Sequence, residues 1–81
     1  MNGNDLRLWR KSFCWRRERA ALELGVSLRT YKDYENASEL KRSIHLATIA
    51  LSLKDLLPVL QNADTNRETV LNLLNEMTRE I

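Results

Sequence analysis

The stretch LELGVSLRTYKDYE, Leu22 to Glu35, decides how this chain is read. Gly25 can take the positive φ that ends a helix, and Ser27, two residues later, is a good N-cap for another. The segment therefore predicts two short helices, Arg17 to Leu24 and Leu28 to Glu35, joined by a tight turn. Asn36 is expected to close the second helix in the left-handed conformation.

On a helical wheel that starts at Leu28, Lys32, Arg29 and Asp33 fall at about 40°, 100° and 140°, one polar face. Tyr34, Tyr31 and Glu35 fall at about 240°, 300° and 340°, an arc that can pack inward. The tyrosines thus read as core rather than as base-stacking groups. Two short helices joined by a glycine-containing turn allow the second to enter a DNA major groove. Arg29 has the fork geometry to grip guanine O6 and N7, and Asp33 can orient that guanidinium or accept from cytosine N4. The plainer reading of Arg29 and Asp33 is an exposed ion pair worth about 0.3–0.5 kcal/mol. Lys32 can reach a base edge or a phosphate. Leu28, on the boundary, either touches a thymine methyl or finishes the core.

Arg16, Arg17 and Arg19 cluster where the positive end of a helix disfavours cations, a conflict that an approaching phosphate would remove. Upstream, Leu6, Trp9 and Phe13 recur on one face of a helix from Asn4 to Phe13, with Asn4 as N-cap. Downstream, Ser38 is a further cap candidate, and Ser43 can cap IHLATIAL, apolar around nearly its whole circumference and so expected to be the most buried helix. Ser52 and Asp55 resemble a capping box for a separate short helix at LKDLL, which Pro58 should kink or stop. After the polar QNADTN, Thr65 and Glu68 form another capping signature. It leads into a helix carrying Val70, Leu73, Leu74, Met77 and Ile81 on one stripe.

Eighty-one residues make room for one core, which buries only roughly 60% of the unfolded surface. With 43% apolar and 30% charged residues, two Gly and one Pro, the composition is that of a helix-rich globular chain. Residues 1–44 hold ten Lys/Arg against six Asp/Glu, and residues 45–81 hold three against five. The basic part suggests a polyanionic partner, and the acidic part a different task. A single cysteine excludes an intrachain disulfide and fits a reducing compartment. No apolar run approaches the roughly 18 residues of a membrane span, and MNGNDLR lacks the apolar core of a secretory signal, so no membrane role and a cytoplasmic location are expected.

Cys14 beside Arg16 and Arg17 would be a redox sensor if its thiol were activated, but between Phe13 and Trp15 it reads as a small core residue. Trp9, Phe13 and Trp15 read as packing rather than as a single-strand platform. His45, the only histidine, has no partner at metal-ligand spacing, so neither a metal nor a cofactor is expected. No nucleophile–base pair or phosphate-cradling glycine loop is present, and the expectation is that the chain is not an enzyme.

RERAALELGVSLRTYKDYENA resembles the Cro/repressor (XRE-like, lambda repressor-like) helix-turn-helix family, whose pattern reads roughly Q-x-x-L-A-x-x-L-G-V-S-x-x-T-I-x-x-W-E. Ala21, Leu24, Gly25, Val26, Ser27, Thr30 and Glu35 stand at the pattern's positions. The likeness runs from about residue 5 to 57. Departures are Arg17 where Gln is common, Ala20 for Leu, and no Gly between the last two helices. The resemblance implies an all-α, compact five-helix DNA-binding domain over residues 1–62, followed here by a C-terminal helix over 63–81. It implies a structural ion pair between Arg10 and Glu35. It further implies phosphate contacts from Arg16, Arg17, Ser27, Thr30, Asn36, Lys41 and Arg42, with Leu28, Arg29, Lys32 and Asp33 facing bases.

The C-terminal stripe can pack across a dyad or dock on its own domain; a dimer is favoured because two recognition helices read two half-sites about 34 Å apart. The expected protein is a homodimeric repressor of the Cro type, as in phages and mobile elements, bound to an inverted-repeat operator in double-stranded DNA in a bacterial cytoplasm and associated with the nucleoid when bound. The alternative is an antitoxin-like DNA-binding module whose C-terminal helix holds a partner protein.

Overall fold

In a computed structural model describing residues 1–62 and 64–81, the described residues form five α-helices and no strand. They are α1 (Gly3–Ser12), α2 (Arg17–Leu24), α3 (Leu28–Glu35), α4 (Arg42–Leu60) and α5 (Arg67–Thr78). The all-α class is as expected. The chain divides into two compact units, Met1–Thr48 and Ile49–Ile81, so the division falls inside α4, whereas the sequence suggests 62/63.

The first unit is built around Leu6, Ala20, Ala21, Tyr31 and Leu40, all buried. Ala20 and Ala21 on α2 lack bulk, which lets α2 and α3 approach closely. Gly25 holds φ +72° and closes α2. Its backbone N–H donates to Leu22 O, and Val26 N–H donates to Ala21 O, satisfying carbonyls that a helix end leaves free. Ser27 then caps α3 by accepting from Thr30 N–H at 3.1 Å. Both turn assignments hold. Asn36 does not take the left-handed conformation; at φ −97°, ψ −2° it continues the helical turn, and Ala37 N–H reaches Tyr34 O.

α1 is capped by Asn2 rather than Asn4. The Asn2 side chain accepts from Asp5 N–H, and Asp5 accepts from Asn2 N–H, a capping box with Asn and Asp in place of the Ser/Thr and Glu sought in the sequence. Gly3 follows, and its N–H donates to Ala37 O at 2.8 Å, which seats the start of α1 against the end of α3. Between α1 and α2, Phe13 stacks on Trp15 at 4.3 Å, with Trp9 edge-on to both. The packing role read for these rings is the one observed.

Cys14 differs from expectation. It is exposed, not a core residue, and it holds φ +59°, a left-handed conformation that costs a Cβ-bearing residue about 1–2 kcal/mol. Cys14→Gly removes that strain and adds chain entropy to the unfolded state. The expected net result is a gain of about 0.5 kcal/mol, read as a higher urea midpoint.

α4 is one continuous helix rather than two, so the separate LKDLL helix and its Ser52 cap are not formed, and Ser43 lies within the first turn instead of capping it. Pro58 stands inside the last turn. Pro58 and Lys54 are both exposed, so water can satisfy the Lys54 carbonyl that proline leaves without a donor. Nor is α4 the most buried helix: only its Thr48 is buried. By length and composition α4 is long and apolar enough to cross a membrane, at mean hydropathy 1.4. No uninterrupted apolar run marks this in the sequence, because His45, Thr48 and Ser52 break the run without lowering the average far. Lys54 and Asp55 would lie within such a span, where each costs roughly 2.5–3.5 kcal/mol at the centre.

In the second unit, Asn66 rather than Thr65 caps α5, accepting from Thr69 N–H at 2.8 Å. The Thr65 hydroxyl instead donates to Val59 O at 2.7 Å. Val70, Leu73, Leu74 and Met77 are half-buried; Ile81 lies beyond the end of α5 and is exposed. None of the described residues from Ile49 to Ile81 is buried.

Candidate functional site

Three helices meet at Glu35. Its side chain is 2% exposed, and Oε2 accepts from Arg10 Nε at 2.8 Å. Oε1 accepts from Arg17 Nε at 3.1 Å, with Arg7 Nε 3.7 Å away. Arg10 also donates from Nη1 to Trp15 O at 3.0 Å, so one guanidinium joins α1, the following loop and α3. The Arg10–Glu35 pair is therefore present and buried.

Burial of the Glu35 carboxyl acts to raise its pKa, but Arg10 first, then the neighbouring Tyr31 hydroxyl and Arg17, outweigh that penalty and hold it below the usual 4.5. Arg10 is raised in turn, chiefly by its hydrogen bond to Glu35. Tyr31 lies beside the pair, its buried hydroxyl without a hydrogen bond of ordinary geometry. Burial and the adjacent carboxylate push this phenol well above its ordinary range, so it stays protonated. Because the Glu35 pKa is lower folded than unfolded, its contribution to stability is complete above about pH 4.5 and is lost as pH falls through the depressed value. Thermal unfolding followed between about pH 6 and pH 3 should show the midpoint dropping only in the acid part, and Glu35→Gln should flatten that drop.

Arg29, Lys32 and Asp33 are exposed on one side of α3, Tyr31 and Glu35 are buried on the other, and Tyr34 is half-buried, as the wheel requires. Leu28 is half-buried. Among the described residues no ion pair joins Arg29 to Asp33, so the i,i+4 pair weighed in the sequence is not formed. Arg16 is exposed at the start of α2, which has no side-chain cap. Lys41 and Arg42 are exposed before and at the start of α4, and Asn36 is exposed at the end of α3. Ser27 and Thr30 spend their polar groups on each other: the Ser27 hydroxyl donates to Thr30 Oγ1 at 3.0 Å while capping its N–H.

Two arginines of the α2 cluster have protein partners that the sequence did not reveal. Arg17 bonds Glu35. Arg19 bonds Glu23 one turn on, at 2.9 Å, and lies 5.1 Å from the Trp15 ring centre. Arg7, which the sequence shows only as a polar position among the apolar residues of α1, joins Arg17, Lys32, Glu35 and Asn36 around a cleft of about 170 Å³. Its spacing from Arg10 on α1 was the available signal.

The α2–turn–α3 geometry thus presents a polar, cation-bearing helix face beside a basic cleft. The chain matches no family model, no curated protein and no solved structure.

Proposed function

We propose that this chain is a sequence-specific double-stranded DNA-binding regulator of transcription, with a helix-turn-helix of the lambda repressor-like kind. The observation that carries the reading is the α3 face: Arg29, Lys32 and Asp33 stand exposed together on a helix anchored from behind by Tyr31 and Glu35. A helix fixed in this way can enter the major groove without rearrangement, and Arg29 carries the donor pair that reads guanine. Arg16, Lys41 and Arg42 supply exposed cations for flanking phosphates. No catalytic role is assigned to any residue. In this reading the protein is a cytoplasmic, homodimeric repressor of the Cro type acting on an inverted repeat, and the incompletely covered apolar residues of α5 support an association through Val70, Leu73, Leu74 and Met77.

Selection of bound sequences from random duplex DNA, followed by titration at several salt concentrations and sedimentation of the free and bound protein, tests the proposal. A common inverted-repeat motif and a dimer on it are expected; recovery of no motif would overturn it. Arg29→Ala should reduce discrimination at one base pair by about 1–3 kcal/mol while leaving binding to unrelated duplex nearly unchanged.

A second reading, an antitoxin-like module, draws on the same unburied second unit: α5 would then be covered by a different protein. A chain that stays monomeric on its operator until that protein is added would favour it.

A further inference from the structure

The cleft lined by Arg7, Arg17, Lys32 and Asn36 contains an imbalance that the free chain does not resolve. Glu35 offers two oxygens to three guanidinium groups. Arg10 takes Oε2, and Arg17 takes Oε1 at 3.1 Å. Arg7 Nε is left 3.7 Å from Oε1, close enough for an ion pair but too far for a hydrogen bond, and it is buried with no hydrogen-bond partner. A buried donor without an acceptor is costly, and more so when it belongs to a charged group. Yet the Arg7 and Arg17 side chains are 41% and 45% exposed, so their outer nitrogens remain within reach of a ligand.

We infer that this cleft is a phosphate site in which Arg17 and Arg7 exchange places on Glu35. An arriving phosphate group draws the Arg17 fork outward, where it meets two phosphate oxygens, with Lys32 adding charge and Asn36 an amide donor. Glu35 Oε1 is then released, and a shift of well under the length of a hydrogen bond brings Arg7 Nε to it. Glu35 keeps two hydrogen-bond donors throughout, and Arg7 Nε–H, ion-paired but not hydrogen-bonded in the free chain, gains its acceptor only when the anion is bound. Arg7 is thus a positioning residue, and Lys32 belongs to the phosphate cleft as well as to the α3 face. The inference rests on the proposed DNA-binding reading, which already gives Arg17 and Asn36 phosphate contacts; what it adds is the exchange with Arg7 on Glu35, which a free phosphate anion would drive as well as a DNA backbone diester.

The test follows the arginine Nε–H resonances of the full chain by NMR during titration with inorganic phosphate against chloride at equal ionic strength, and separately with random-sequence duplex. Phosphate is expected to shift Arg7 Nε–H into hydrogen-bonded range and to release that of Arg17 from Glu35. Arg7→Lys keeps a charge but has no Nε–H, and should weaken phosphate binding about tenfold, with Lys32→Gln as an exposed variant that leaves folding intact and weakens it too. Lys11→Gln, exposed on α1 and outside the cleft, should leave it unchanged. A response to inorganic phosphate with no binding of any duplex would keep the site and remove the DNA reading. A response to duplex alone would identify a backbone diester as the ligand. An Arg7 resonance unmoved by both, together with wild-type phosphate affinity in Arg7→Lys, would overturn the exchange.

Discussion

Arg10→Ala is expected to lower the unfolding free energy of the 1–48 unit by about 3 kcal/mol, a large share of what a small domain holds. The Arg10 side chain is 9% exposed and joins Glu35 to the Trp15 carbonyl, so truncation removes the donors of one buried and one part-buried acceptor at once. Arg17 and Arg7 remain near Oε1 and keep the loss at the lower end of the range for a broken buried ion pair. Both tryptophans, Trp9 and Trp15, belong to this unit, so urea unfolding followed by intrinsic fluorescence reports on it alone. The double change Arg10→Met with Glu35→Leu should recover much of the loss, because an apolar pair carries no desolvation cost. If Arg10→Ala shifted the urea midpoint no more than an exposed substitution such as Lys11→Ala, Glu35 would not be the centre of the unit.

Gly3→Ala should destabilise the same unit by about 2 kcal/mol, against the sign that helix propensity alone gives. Within a helix, alanine is favoured over glycine by about 1 kcal/mol. At Gly3, however, an added Cβ would overlap the carbonyl of Glu35 and come within 2.6 Å of Tyr34 O. Both obstacles are backbone, so no side chain can turn aside; α1 must move away from α3 and lengthen the 2.8 Å bond from Gly3 N–H to Ala37 O. Asn4→Ala, one position along on the exposed side of α1, is the control and should be neutral or stabilising. A rise in urea midpoint for Gly3→Ala equal to that control would show that the close approach is absent.

The part of the chain most legible in sequence was the part governed by single residues with strong local preferences. Gly25 and Ser27 each have few alternatives, and they fixed α2, the turn and α3 to the residue. The periodicity of Leu28 to Glu35 also sorted its side chains correctly. Less legible was anything decided by a distant partner. Arg17 could be placed at a helix start, but not against Glu35, eighteen residues on. Arg7 carried no motif, and Gly3 resembled an ordinary polar N-terminus. α4 failed for another reason: hydropathy states what a segment would gain from burial, not whether the chain has enough surface to bury it. The Ser52–Asp55 signature reads as a start because a helix beginning there would use it, whereas an existing helix passes through it without loss. The apolar neighbours of Cys14 point to burial, while its backbone angle is fixed by the need to turn between α1 and α2.

The second unit, in which none of the described residues is buried, has a consequence in mass action. Helices whose apolar residues are at most half-buried gain further stability from whatever surface covers them, so the folded fraction rises with the concentration of that surface. A second copy would make the order of α4's later turns and of α5 depend on the abundance of the chain itself. The melting temperature of that half would climb with protein concentration, while that of the tryptophan-bearing half stayed fixed. Newly made, scarce molecules would offer proteases an open tail, and abundant ones would not. Lifetime would then rise with dose, by nothing more than a core left half-covered.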